Sequence, residues 1–332
     1  MGSEANTGVS MTQEEFLLIR DFIHEKSGIF FADNKTYLVQ NRLEKRMADL
    51  GMKNVRDYFY HVKYDVSQNE FGRLMVLMTT NETSFFRNEP QLMCFSDEVL
   101  PLIIEKKLKL KRPQTLRIWS AGCSTGEEPY TLGILIYETL KSLAGWNVEI
   151  IANDISEDVL HKARLGSYTG MTMRGVPAHL LSRYFIKSGD TYTVNADLKA
   201  VVKFSLINLN DPRKVALMTN MDVIFCRNVM IYFSDEVRKQ IVRGFFNALT
   251  SGGYLYIGHS ETLHGISKAF KLVYFKNALV YRKETERTRS QRETETADVL
   301  TAAGDAGDGS AVHGASRAIN LLSKIKPMTV KR

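Results

Sequence analysis

Beyond Pro90 the chain alternates between short apolar runs of strand character and helical stretches, and this alternation sets its architecture. LRIWSA leads into PYTLGILIYETLKSL, VEIIAND into EDVLHKARLG, and MDVIFCRN into DEVRKQIVRGFFNALT, with VVKFSLINL, GGYLYIGH and the pair FKLVYF and ALVYRK completing the set. Runs separated by helices build a mostly parallel sheet covered on both faces. The expected fold class is therefore α/β. Residues 167–201 (SYTGMTMRGVPAHLLSRYFIKSGDTYTVNADLKAV) are too long and too structured for a plain connection, and SGDTYTV has hairpin character, so a small inserted β-subdomain is expected there.

The texture before Pro90 is different. Phe16, Ile19 and Ile23, then Tyr37, Leu38, Leu43, Met47 and Leu50, recur at three- and four-residue spacing, with breaks at Ser27-Gly28 and Leu50-Gly51. This predicts an all-helical unit. The expected division is a disordered N-terminus at 1–11, a helical domain at 12–87, the sheet domain at 88–283, and a tail at 284–332. Thr, Arg, Glu, Ala and Gly dominate that tail, which cannot bury enough apolar area to order itself.

With 332 residues, 44% hydrophobic and 24% charged, the chain can bury one substantial core and a second smaller one. No apolar run approaches the roughly 20 residues needed to cross a bilayer, and the start lacks the basic and apolar regions of a leader, so a cytoplasmic location without membrane insertion is expected. Cys94, Cys123 and Cys226 lack metal-site spacing; they read as buried thiols, and no metal is implied. The net charge of +7 suits an acidic partner surface or nucleic acid, but is spread over a long chain.

IWSAGCSTGEEPYTLG, residues 118–133, runs from a strand through a glycine turn into a helix. Ligands of doubly wound sheets meet the backbone at such a turn. A nucleoside triphosphate is disfavoured by Glu127, which stands where a Walker A loop carries lysine and would repel it, and the spacing of Gly122 and Gly126 does not match the dinucleotide fingerprint. A cationic, phosphate-free adenosine ligand fits better. S-adenosylmethionine carries a sulfonium and an ammonium that a carboxylate such as Glu127 complements. Asp154, in IIANDIS at the end of the second strand, is placed to hold its ribose diol. Taken alone, the glycines also suit an ordinary strand–helix turn. Glu128-Pro129 reads as the acid and proline that favour a first helical turn.

Together, NETSFFR (81–87), WSAGCSTGEEPYT (119–131), NDIS (153–156), FCRNVMIYF (225–233) and GHSETL (258–263) closely resemble the chemotaxis receptor glutamate O-methyltransferases, the CheR family. The resemblance spans residues 12 to 283, with the motifs in order. It implies a Rossmann-like S-adenosylmethionine-dependent methyltransferase sheet with an N-terminal helical domain and an inserted β-subdomain. It also implies methyl transfer to glutamate side chains on the cytoplasmic helices of chemoreceptors, with S-adenosylhomocysteine as product. By the same resemblance Asn81, Thr83 and Arg87 close over the cofactor, Glu127 faces its methionine end and Asp154 its ribose. Asn208 and Leu209 flank the adenine, and Arg227 and Asn228 lie near the methyl group. Each also has a plain structural reading: Thr83 as a helix cap, Asn208 as a turn former, Arg227 as a surface ion pair.

The acceptor carboxylate, with an unperturbed pKa of about 4.3, is already ionised at neutral pH, so positioning replaces base catalysis. Arg87 and Arg227 are candidates to orient it, with Tyr232 a third positioning candidate. Lys35, Arg42, Lys45 and Arg46 are docking candidates: Arg42, Lys45 and Arg46 share one face of a helix, which suits an acidic receptor helix and also suits plain solvation. A nucleic-acid methyltransferase is disfavoured, since the position after the fourth strand reads CRNVMIY and the sequence has no Pro-Pro. A non-catalytic cofactor-binding module remains open. A monomer is expected. Some members of the family carry a β-subdomain that takes up a receptor's C-terminal peptide through a glycine-containing loop extension. Here Ile186 reaches Tyr192 through only KSGDT, which resembles the short form.

Overall fold

The computed structural model describes residues 11–67, 69–80, 82–109, 114–141 and 144–284. Asn81, the first ten residues and 285–332 lie outside this set, and with them the expectations that fall there.

Four helices open the fold: α1 (Gln13–Ser27), α2 (Thr36–Asp49), α3 (Val55–Lys63) and α4 (Asn69–Met78). Thr12 and Glu15 form a reciprocal cap at the start of α1, and Gly28, at φ +79°, ends it in the left-handed conformation. Phe16, Ile19 and Ile23 pack against Val39, Leu43 and Met47 of α2. Tyr37 departs from the expected stripe, being 74% exposed. Val39, Leu43 and Met47 repeat every four residues, and Tyr37 falls on the opposite side of that stripe.

A longer helical segment follows, with α5 (Glu89–Met93) and α6 (Leu100–Lys109) joined by a π-helical stretch, Cys94–Val99. The sheet domain then runs β1 (Gln114–Ala121), α7 (Glu127–Leu140), β2 (Trp146–Asp154), α8 (Glu157–Leu165), β3 (Ser167–Thr169), α9 (Ala178–Tyr184), β4 (Phe185–Ser188), β5 (Thr191–Val194), α10 (Ala196–Ala200), β6 (Val202–Leu206), α11 (Pro212–Val215), β7 (Met221–Cys226), α12 (Asp235–Ala248), β8 (Leu249–Ile257), β9 (Phe270–Tyr274) and β10 (Leu279–Lys283). The main sheet has seven strands in the order β6-β2-β1-β7-β8-β10-β9, parallel except that β10 runs antiparallel to both its neighbours. Alternate residues feed two cores: Ile118, Phe225 and Tyr256 point to one face, Trp119, Ile224 and Leu255 to the other. All six residues of β7 are buried, as a central parallel strand requires.

The order reverses between β1 and β7, so the carboxyl ends of β1, β2, β6, β7 and β8 converge on one edge. β3, β5 and β4 form the separate antiparallel sheet of the insertion.

Candidate active site

At that edge lies a cavity of about 400 Å³. Its floor is the glycine turn. Gly122 and Cys123 N–H groups both donate to the Asn153 carbonyl at 2.8 Å, tying the turn to β2. Gly122 has φ +82°, and a Cβ there would stand 2.5 Å from Val229 Cγ2, in the loop after β7. Only glycine lets the turn and that loop meet. Ser124, with φ +49°, and Asn228, with φ +60°, also adopt the left-handed conformation at the cavity wall, a strain that clusters at functional sites.

Asp154 lines the cavity, accepting from Ser124 N at 2.9 Å and Ser156 N at 3.2 Å. Burial pushes its carboxyl above the ordinary carboxylate range, against the pull of those backbone donors. Among the described residues no cation forms an ion pair with it. Leu209, Ile155 and Ile207 add apolar wall, while Thr83, Arg87, Asn208, Arg227 and Tyr232 also border the space.

The carboxylate assignment on α7 is corrected. Glu127, expected to face the ligand, is 1% exposed and turned away from the cavity, accepting from Thr125 Oγ1 at 2.7 Å. Glu128, read from sequence only as a helix starter, borders the cavity instead. Its oxygens accept from Ser120 Oγ at 2.7 Å and Arg227 Nε at 2.7 Å. Consecutive helical residues point about 100° apart, so only one of the two can face the ligand.

Arg227 is not free to orient an acceptor. Beyond Glu128 it donates to the Arg87 carbonyl at 2.8 Å and to Gln91 Oε1 at 3.4 Å, and its side chain is 5% exposed. Arg87 is half-buried and donates to the Glu82 carbonyl. The Tyr232 hydroxyl is occupied as well, donating to Thr80 O at 3.1 Å and accepting from Thr80 N at 3.0 Å. It pins the segment after α4 over the cavity. Asn208 donates to the Lys26 carbonyl at the end of α1 at 2.6 Å, joining the helical unit to the sheet domain.

Two of the four docking candidates have internal partners. Arg46 makes a two-pronged pair with buried Glu70, at 2.8 and 2.5 Å, and Tyr58 donates to the same carboxylate at 3.1 Å. Arg42 donates to the Met78 carbonyl at 2.6 Å, closing the end of α4. Arg46 therefore leaves the docking set for a structural role, whereas Lys35 and Lys45 are exposed.

Glu261 was missed in the sequence. Its carboxylate accepts from the N–H groups of Asn228 at 3.0 Å, Ile231 at 3.2 Å and Gly258 at 2.5 Å, fixing the loop that carries Asn228 and Val229. The available signal was an acid three residues after Gly258, the glycine that follows β8. All three cysteines are buried and free, and burial raises the Cys123 and Cys226 thiols well above their ordinary range. No group of residues suited to a metal ion occurs among the described residues, and no described helix is long and apolar enough to cross a membrane.

These residues fit S-adenosylmethionine. Ser124 Oγ is buried at the cavity without a hydrogen-bond partner, Asp154 offers an acceptor for hydroxyls, and Glu128 an anion for a cation. Among the described residues no lysine borders the cavity, and the first turn of α7 presents the Glu128 carboxylate there, which repels a phosphate.

Comparison with known proteins agrees. The family model described as CheR methyltransferase, SAM binding domain, matches residues 81–279, and that described as CheR methyltransferase, all-alpha domain, matches 14–79. Chemotaxis protein methyltransferase 2 of Vibrio cholerae is 36% identical over 277 residues, covering 83% of this chain and 94% of its own. Chemotaxis protein methyltransferase 1 of Pseudomonas aeruginosa is 36% identical over 281 residues, covering 82% and 99%. Chemotaxis protein methyltransferase of Borreliella burgdorferi is 34% identical over 262 residues, covering 78% and 92%. With both domain models matched in order around a cavity built for a cationic adenosine ligand, the chain belongs to the CheR family of chemotaxis methyltransferases and uses S-adenosylmethionine as its cofactor.

Proposed function

We propose that this methyltransferase is a protein-glutamate O-methyltransferase acting on the cytoplasmic helices of chemoreceptors. The supporting observation is the make-up of the cavity wall: among the described residues no histidine or lysine borders it, and the oxygens of Glu128 and Asp154 are already hydrogen-bonded, which leaves exposed Glu82 as the other carboxylate there. An amine acceptor has a proton to lose during methyl transfer; a glutamate carboxylate, with an ordinary pKa of about 4.3, has none. The relatives, all chemotaxis methyltransferases by name, support the same reading.

When bound, S-adenosylmethionine supplies an electrophilic methyl group on sulfur. Asp154 would hold its ribose hydroxyls and Glu128 its cationic end, with Leu209, Ile155 and Ile207 against the adenine. Arg87, half-buried at the cavity, would draw in the acceptor carboxylate. Tyr232, by clasping Thr80, holds the segment that excludes water from the site, and a partly desolvated carboxylate is the better nucleophile. The products are a γ-glutamyl methyl ester and S-adenosylhomocysteine.

The test is incubation with methyl-labelled S-adenosylmethionine and a receptor cytoplasmic fragment, followed by alkali. Release of label as methanol is expected. Base-stable label would mean N-methylation, label on nucleic acid would mean the rival substrate class, and no transfer would leave a binding module.

A further inference from the structure

Glu127 and Tyr168 are buried, titratable and outside the cavity, yet both close on the same residue of the cofactor turn. Thr125 Oγ1 donates to Glu127 Oε2 at 2.7 Å, and Tyr168 Oη donates to the Thr125 carbonyl at 2.7 Å. On one side of Thr125, Gly126 has φ +96°, and a Cβ there would stand 2.9 Å from Ala163 Cβ and 3.0 Å from Tyr168 Oη. On the other side, Ser124 has φ +49° and gives its N–H to Asp154. With Gly122 the turn thus holds three left-handed residues within five positions. Such a backbone persists only where its surroundings over-determine it. The grips on Thr125, one on its hydroxyl and one on its carbonyl, supply that constraint.

Tyr168 belongs to β3, in the inserted subdomain. Its ring packs edge-on against Phe85 at 4.9 Å, and Phe85 N donates to the Thr172 carbonyl at 3.0 Å. The insertion therefore reaches the cofactor cavity twice: at the glycine turn, and behind the Thr83–Arg87 segment that borders the cavity.

We infer that Glu127 and Tyr168 are positioning residues for S-adenosylmethionine: they hold Thr125 from two sides, fix the turn against which the cofactor lies, and make the inserted subdomain part of the cofactor site. The inference goes beyond the proposed acceptor and holds whichever group is methylated.

Calorimetric titration of the full chain with S-adenosylmethionine tests it. Tyr168→Phe keeps the ring and its packing and removes one hydroxyl; the dissociation constant should rise about three- to tenfold, the usual reach of one buried hydrogen bond. Thr125→Val should do the same, and Thr125→Ser, which restores the hydroxyl, should bring affinity back to within about twofold of the parent. Glu127→Gln keeps an acceptor oxygen and should cost little, whereas Glu127→Ala should weaken binding like Thr125→Val. Because Tyr168 and Thr125 act on one turn, their combined loss should differ from the product of the single losses. The proposal is overturned if Tyr168→Phe and Thr125→Val, both shown folded by circular dichroism, bind the cofactor within twofold of the parent. It is equally overturned if Glu127→Gln loses as much as Glu127→Ala, which would make Glu127 a direct counter-ion. Failure of Thr125→Ser to rescue would also end it.

Discussion

Asp154 borders the cavity with its carboxyl held by the backbone N–H groups of Ser124 and Ser156 and, among the described residues, with no ion-pair partner. Replacing it by alanine should weaken S-adenosylmethionine binding by about 1.5–3 kcal/mol, the scale for hydrogen bonds to a charged group, measured by calorimetry; unchanged affinity would remove Asp154 from the site. Its pH dependence has a definite sign. Burial raises its pKa in the folded state, so the folded protein holds that proton more tightly than the unfolded chain does. The charge costs stability above the unfolded pKa of about 3.9, and the cost disappears on acidification. Cofactor affinity should move the opposite way, falling as pH drops through the raised pKa, because a protonated Asp154 accepts less strongly. Affinity that stays flat down to pH 4 would contradict this. Glu128 makes a second case, since its loss strands Arg227, whose side chain is 5% exposed. Glu128→Ala should cost about 3–5 kcal/mol of stability, read as a lowered urea midpoint. Asp154 was legible in the sequence because a strand end and a glycine turn locate it. The choice between Glu127 and Glu128 was not, because it depends on how Gly126 enters the helix, and on Thr125 offering a hydroxyl to one acid and not the other.

The elements were legible where period alone decides. Burial of Phe16, Ile19 and Ile23 follows from their spacing, and the seven apolar runs became the seven strands of the main sheet. Charged faces were less legible, since a cation's partner is set by tertiary packing. Arg46 lies one turn from Arg42 on α2, but its carboxylate, Glu70, comes from α4, 24 residues away. This separates the basic residues of α2 experimentally. Arg46→Ala should lower stability by about 3 kcal/mol, as breaking a largely buried pair does. Lys45→Glu, at an exposed position, should shift stability by no more than about 0.5 kcal/mol. If α2 docks the receptor, Lys45→Glu should nonetheless raise the apparent KM for receptor while cofactor affinity stays unchanged. A KM equal to the parent's would take the exposed lysine out of the interface, and a parallel loss of cofactor affinity would mean that the helical unit had been disturbed.

At the scale of the whole molecule, the insertion bears on how the proposed receptor substrate would be found. Its sheet, ordered β3-β5-β4, leaves one side of β4 unpaired, with Ile186 63% exposed, so an extended peptide has an edge to add to. Edge pairing alone gives little specificity; pockets and loop shape supply it. Here β4 and β5 are joined by only Gly189 and Asp190, with Gly189 at φ +59°, a tight turn with no extension to wrap a peptide. The turn was readable from KSGDT, because a glycine that must be left-handed marks a two-residue hairpin. The wiring of Tyr168 to Thr125 was not, because it joins residues 43 apart through a side chain that sequence spacing does not orient. A hairpin this short predicts methylation independent of a receptor tether. Fragments lacking the receptor's C-terminal tail should be methylated about as fast as intact ones at concentrations below KM, where a tether's effective concentration would weigh most. A tenfold or greater loss on deleting the tail, equivalent to about 1.4 kcal/mol of docking, would show instead that the bare edge of β4 holds the peptide without a loop to grip it.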